Sequence, residues 1–158
     1  LGDVFRIGTI LVQPSCSELE LDHQLCFALY STSLMMTKVY KPLLKKLGLT
    51  YPQYLAMLVL WQNDGITVGT MSKRLLTDPG SLTPLLKRLE ADQLLNRKRS
   101  HEDERVVELY LTEKGKALRE QACHIPSCVV HASEQSIEAL TTLKEDLVRL
   151  RDSLQKNQ

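Results

Sequence analysis

The chain has 158 residues, 43% of them hydrophobic and 25% charged, which is one domain's worth of ordinary globular composition and excludes global disorder. No apolar run reaches the ~20 residues needed to cross a bilayer, and no charged start with an apolar stretch and cleavage site is present, so a cytoplasmic protein without membrane contact is expected. Lys and Arg total 20 against 19 Asp and Glu, a net charge of +1, so any nucleic-acid binding must come from a local patch.

Residues 1–17 hold Gly2, Gly8 and Pro14 without a sustained period and read as a flexible arm before a single domain over 18–158. Leu21, Leu25, Leu29 and Met36 recur at near-helical spacing and predict a long helix of about six turns, closing at Gly48. Pro52 opens a second helix, QYLAMLVLWQ, whose apolarity predicts burial on several sides. After the Asn63-Asp64-Gly65 turn, Ile66, Val68, Met71 and Leu75 predict a short helix. A polar break over Thr77-Asp78-Pro79-Gly80 follows.

Leu82, Leu85, Leu86 and Leu89 then lie at i, i+3, i+4 and i+7, one face of a helix, with Pro84, Lys87 and Arg88 opposite. Pro84 demands a start close before it, which makes Ser81 or Thr83 the expected cap. After Leu95, NRKRS-HEDE-RVVELYLT reads as two short strands joined by a charged loop. Thr112 caps the next predicted helix, which Pro126 interrupts. A last amphipathic helix from about Ser133 carries Ile137, Leu140, Leu143, Leu147, Leu150 and Leu154.

Two short helices, a tight turn and a basic hairpin describe a mainly α fold with a winged helix-turn-helix over about 50–112. Between Pro84 and Arg99 stand five cations (Lys87, Arg88, Arg97, Lys98, Arg99) and two acids (Glu90, Asp92), a local balance of +3. One such segment alone could be a solvated face. The ordered succession of helix, basic hairpin and helix favours a DNA-binding surface instead.

The segments DPGSLTPLLKRLE and LLNRKRSHEDERVVELYLTEKG resemble the DNA-binding core of the MarR family (multiple antibiotic resistance regulator), over roughly residues 50–120. The resemblance implies a homodimer on a pseudo-palindromic double-stranded operator, with dimerisation helices at about 18–47 and 113–158. It implies recognition-helix contacts from Ser81, Thr83, Pro84, Lys87 and Arg88, and wing contacts from Arg97, Arg99 and Arg105. It also implies that Asp103 orients Arg105, since residues two apart in an extended segment share a side.

Upstream, HQLCFALYSTSLMMTKVYKPLLKKLGLTYPQYLAMLVLW resembles the organic hydroperoxide repressors, a thiol-sensing branch of that family. His23 stands where the branch commonly has Asn. By this resemblance Cys26 is the residue that reacts with organic hydroperoxides, and Tyr40 and Tyr51 hydrogen-bond to it. Cys26 and Tyr40 are 14 residues apart, about 21 Å along a straight helix. They meet only if a second copy lies antiparallel, which implies a two-fold dimer. Two O–H donors stabilise a thiolate, the nucleophilic form. Leu25, Phe27, Met35, Met36 and Leu55 supply an apolar rim suited to alkyl or lipid hydroperoxides.

Some members of the branch carry a second cysteine that condenses with the sulfenic acid. Here Cys128, just past Pro126, is the first choice as the resolving residue, with Cys123 in reserve; Cys16 lies in the arm. Cys123, His124, Cys128 and His131 are also acceptable zinc ligands, but their spacing matches no standard signature. No cofactor or metal is expected. Two rival functions keep part of this frame: a MarR-type repressor with a reversibly bound phenolic ligand, and a thiol peroxidase. The second lacks a catalytic-base cluster near Cys26, and no enzyme activity is expected.

Overall fold

A computed structural model describes residues 19–157; the expected arm over 1–17 lies outside them. The chain divides into two compact units, Leu1–Met36 and Thr37–Gln158. In the first, a 3-10 turn at Leu21–His23 precedes helix α1, Leu25–Lys46, which runs on into the second unit. Its described residues are nearly all exposed, including Leu21, Leu25, Tyr30, Leu34 and Met35.

The second unit is built around Leu44, Met57, Leu60, Met71, Leu86, Leu89, Leu95, Leu109 and Ile125, all fully buried. Helix α2, Tyr51–Gln62, buries Gln53, Tyr54, Ala56, Met57, Val59 and Leu60, so it is enclosed on several sides as its composition predicts. Its start is fixed by Pro52 in the first turn and by Gln53, whose Oε1 accepts from the Thr50 amide at 2.8 Å and hydroxyl at 3.0 Å.

Gly65 turns the chain with φ +73°, a conformation glycine adopts without steric cost. Asp64 Oδ1 accepts from the amides of Gly65 at 3.0 Å and Leu111 at 2.7 Å, pinning that turn to the sheet. Ile66, expected in a helix, lies instead in a two-residue strand, β1 (Ile66–Thr67), paired with Leu109. Two residues carry too little periodicity to be read. Thr67 then caps helix α3, Val68–Leu75, its Oγ1 accepting from the Thr70 amide at 3.1 Å. The wing strands β2, Leu95–Arg99, and β3, Val107–Leu111, complete an antiparallel sheet in the order β1-β3-β2.

Helix α4 spans Pro79–Ala91, and its cap is Asp78, not Ser81 or Thr83. Asp78 Oδ1 accepts from the Ser81 amide at 3.0 Å and Pro79 occupies the first turn. A carboxylate acceptor followed by a proline with preset φ outcompetes a start two residues later. Pro84 therefore sits inside the helix, leaving one carbonyl without its usual donor. Leu82, Leu86 and Leu89 are buried and Pro84, Lys87 and Arg88 exposed, as the spacing predicts.

Thr112 caps helix α5, Glu113–Ala122, accepting from the Gly115 amide at 3.0 Å. Pro126 does more than interrupt: it lies in the first turn of a separate helix α6, Ile125–Ser133. Ser133 ends that helix rather than opening the last one. Helix α7 is Ile137–Lys156, capped by Ser136, and turns its apolar residues Ile137, Leu143, Leu147 and Leu154 to solvent in the single chain.

Candidate functional site

Helix α4 and the wing carry the candidate DNA-contacting side chains. Its buried leucines anchor α4 and leave Ser81, Thr83, Pro84, Lys87 and Arg88 outward. Two of these carry local bonds. The Ser81 hydroxyl donates to Asp78 Oδ2, and Thr83 Oγ1 donates to the Pro79 carbonyl at 3.2 Å. The Ser81 hydroxyl, and then its amide, hold the Asp78 carboxyl below the usual carboxylate range. Arg88 Nε lies 3.3 Å from Asp92, a solvent-exposed i,i+4 pair. Among the described residues Lys87 has no ion pair.

Arg97 differs from the other wing cations. Its amide donates to Glu90 Oε1 at 2.9 Å and its Nε to Glu90 Oε2 at 2.8 Å, with a guanidinium nitrogen 2.7 Å from the same oxygen. The Arg97 amide first, and then its guanidinium, keep the Glu90 carboxyl below its ordinary range. Arg97 thus fastens β2 to α4. Arg99 and Arg105 stay exposed, and Lys98 lies over the Tyr110 ring, 5.3 Å from its centroid.

The wing tip is a turn rather than an extended segment. Val106 donates its amide to the Asp103 carbonyl at 2.9 Å, and Asp103 Oδ1 accepts from the Arg105 amide at 2.9 Å. Asp103 therefore holds Arg105 through its backbone, and among the described residues the Arg105 guanidinium has no ion pair. A cavity of about 450 Å³ opens between α3, α4 and the wing, bordered by Thr67, Thr83, Arg97 and Arg105.

The tyrosines form a second cluster. The rings of Tyr40 and Tyr51 stand 4.9 Å apart, and Tyr40 lies 5.9 Å from Tyr54. Tyr54, buried and absent from the sequence reading, also packs edge-on to Trp61 at 6.3 Å. Its place three residues after Tyr51 on one helix was the available signal. Trp61 Nε1 in turn donates to the Gly115 carbonyl at 2.8 Å. Burial pushes the Tyr40 phenol above its ordinary pKa, with Tyr51 and Tyr54 adding to the effect. Burial likewise raises Tyr54, helped by Tyr51 and by the nearby Cys123 thiol.

Three free cysteines are described. Cys26 is exposed on the first turn of α1; Cys123 is exposed at the end of α5, its Sγ donating to the Arg119 carbonyl at 3.3 Å. Cys128 is half-buried on α6. Cys123, His124, Cys128 and His131 do not assemble: among the described residues no group of three or more His, Cys, Asp or Glu is placed to hold a metal ion.

A family model described as transcriptional regulator SarA/Rot matches residues 38–121. The organic hydroperoxide resistance transcriptional regulator of Bacillus subtilis is 52% identical over 140 residues, covering 88% of this chain and 95% of that protein. The chain belongs to the MarR-like winged-helix transcriptional regulators. Its fold matches AbfR of Staphylococcus epidermidis in two solved states. Reduced AbfR bound to DNA is 30% identical with a TM-score of 0.72, covering 87% of this chain and 96% of that one. Disulfide-formed AbfR is 30% identical with a TM-score of 0.60, covering 85% and 94%. Within this MarR-like regulator the family model spans Tyr40, Tyr51 and every DNA-binding candidate from Ser81 to Arg105, and stops short of Cys26, Cys123 and Cys128. Among its described residues no helix is long and apolar enough to cross a membrane.

Proposed function

We propose that this regulator is a cytoplasmic, homodimeric, non-enzymatic repressor that leaves a pseudo-palindromic operator when organic hydroperoxides oxidise Cys26. The observation that carries this reading is the Tyr40–Tyr51 pair, rings 4.9 Å apart at the α1–α2 corner, in a chain 52% identical to a regulator named for organic hydroperoxide resistance. The exposed apolar side chains of α1 and α7 supply the dimer surface. An antiparallel partner helix brings Cys26 of the partner subunit to the two phenols, whose O–H groups favour the thiolate over the thiol.

The thiolate attacks the distal peroxide oxygen. An S–O bond forms, the O–O bond breaks, and the alkoxide leaves as an alcohol after taking a proton, so Cys26 becomes a sulfenic acid. A second thiolate attacks that sulfur; the S–S bond forms, the S–O bond breaks, and the departing hydroxide takes a proton and leaves as water. Of the two distal cysteines Cys128, on α6 just past Pro126, is our first choice for this thiol, with Cys123 at the end of α5 in reserve. Shifting α1 to make that bond rotates the winged lobes and spoils the half-site spacing of about 34 Å. Lys87, Arg99 and Arg105 bind DNA, while Arg97 positions the wing.

Gel shifts of the reduced protein on its upstream DNA test the reading. An alkyl hydroperoxide releases the parent but not Cys26→Ser; a regulator answering to a reversible ligand instead leaves the operator with a phenolic acid in both proteins. On non-reducing gels the peroxide-treated parent and Cys123→Ser form a covalent dimer and Cys128→Ser does not. The opposite pattern transfers the resolving role to Cys123.

A further inference from the structure

Tyr54 is only 3% exposed, out of reach of a thiol from a second subunit. Its ring nevertheless lies 5.9 Å from that of Tyr40 and 6.3 Å from that of Trp61, both within the range of attractive aromatic pairs. Of the residues that α2 buries, Tyr54 alone is aromatic, and it is the one that bridges two other rings. Trp61 is fixed in turn. Its Nε1 donates to the Gly115 carbonyl at 2.8 Å, in the first turn of α5. Gly115 itself lies so close to the Leu94 carbonyl that no side chain fits between them. An indole pinned to backbone, a buried phenol against it and the half-buried Tyr40 against that form one line of rings.

A half-exposed tyrosine turns about its side-chain torsions, and a change of rotamer carries the hydroxyl away from any partner it serves. Tyr40 is held against this by Tyr51 and by Tyr54. Tyr51 is itself half-exposed and a donor in the proposed chemistry, so the fixed reference is the buried Tyr54. We infer that Tyr54 and Trp61 are positioning residues of the sensing site, their rings holding the Tyr40 phenol where it meets Cys26 of the partner subunit. This rests on the hydroperoxide reading above, which supplies the contact between Tyr40 and the partner's Cys26. It adds the support that keeps the donor in place before the thiol arrives, as a preorganised site requires. Tyr54 acts through its ring, which makes both contacts, and its own hydroxyl takes no part.

The test uses the full-length reduced protein and two readouts, both taken by mass spectrometry of the Cys26 peptide. One is the pH midpoint of alkylation by iodoacetamide, which reports the thiolate; the other is the rate of oxidation by cumene hydroperoxide. Tyr54→Leu raises the midpoint and slows oxidation about two- to ten-fold, the range of one aromatic pair, and Tyr54→Phe restores both. In a Tyr40→Phe background Tyr54→Leu adds nothing, because residues that act through one hydroxyl are not additive. A residue that only fills the core would slow oxidation equally in both backgrounds. Operator binding by the reduced protein reports folding. Where Tyr54→Leu does not bind, Trp61→Phe, which keeps a ring and loses the bond to Gly115, carries the same test with the same expected directions. Parental values in the variant, equal losses in Tyr54→Phe and Tyr54→Leu, or equal losses in both backgrounds overturn the positioning role. The hydroperoxide reading then stands as long as Tyr40→Phe slows oxidation. Parental values in Tyr40→Phe itself overturn the phenol contact and this inference together.

Discussion

Glu90 and Arg97 join the recognition helix to the wing through three contacts between 2.7 and 2.9 Å, one from the Arg97 backbone and two from its guanidinium. The side chains are only 34% and 28% exposed, so this guanidinium is committed before DNA arrives. Arg97→Ala is therefore expected to weaken operator binding by loosening the wing, with the salt dependence nearly unchanged. Arg105→Ala removes a free cation and is expected to lower the slope of log affinity against log salt by about one. Fluorescence anisotropy titrations across a salt series separate the two, and equal slope changes would put Arg97 on the DNA.

The same pair sets a pH dependence. Because Arg97 depresses the Glu90 carboxyl in the folded state, its contribution to stability is complete above the ordinary value of 4.5 and is lost as pH falls below it through the lowered folded value. The partial exposure limits this to about 1 kcal/mol or less. Urea melts between neutral pH and pH ~3 are expected to show a shallower acid decline for Glu90→Gln than for the parent.

Gly115 is a packing constraint. A Cβ there would stand 2.0 Å from the Leu94 carbonyl oxygen and 3.0 Å from its carbon, both backbone atoms that cannot swing away. Gly115→Ala is expected to cost roughly 2 kcal/mol or more, at the upper end of overpacking, and to shift Trp61 fluorescence through its bond to the Gly115 carbonyl. Gly69→Ala, in α3 with no atom nearer than 3.8 Å, is the contrast and is expected to stabilise by up to about 1 kcal/mol. Thermal melts decide between them.

Tyr40→Phe and Tyr51→Phe each delete one donor to the proposed thiolate. A charge-assisted hydrogen bond contributes about 1.5–3 kcal/mol, so each variant is expected to lose Cys26 oxidation rate by roughly ten-fold. Operator binding by the reduced protein stays parental. Stopped-flow oxidation at parental speed in both variants would remove the phenols from the chemistry.

The fold was readable where a pattern repeats. Leu82, Leu85, Leu86 and Leu89 name the buried face of α4, and the alternation through Val107, Leu109 and Leu111 names β3. It was unreadable where one contact decides. Asp78 caps α4 because its carboxylate reaches the Ser81 amide, yet Asp-Pro-Gly reads locally as a break. Arg97 counts as one of five similar cations until Glu90, seven residues away, is seen beneath it. Tyr54 gains meaning only once its ring meets Tyr40, and no period in the chain announces that.

The most direct test couples operator release to the state of Cys26. Fluorescein-labelled operator is saturated with reduced protein and treated with about one equivalent of alkyl hydroperoxide per subunit, following anisotropy while samples are trapped with a sulfenic-acid reagent for mass spectrometry. The prediction is that release and Cys26 modification rise together, one Cys26 per subunit. Release with Cys26 unmodified, or full modification with the operator still bound, would contradict it.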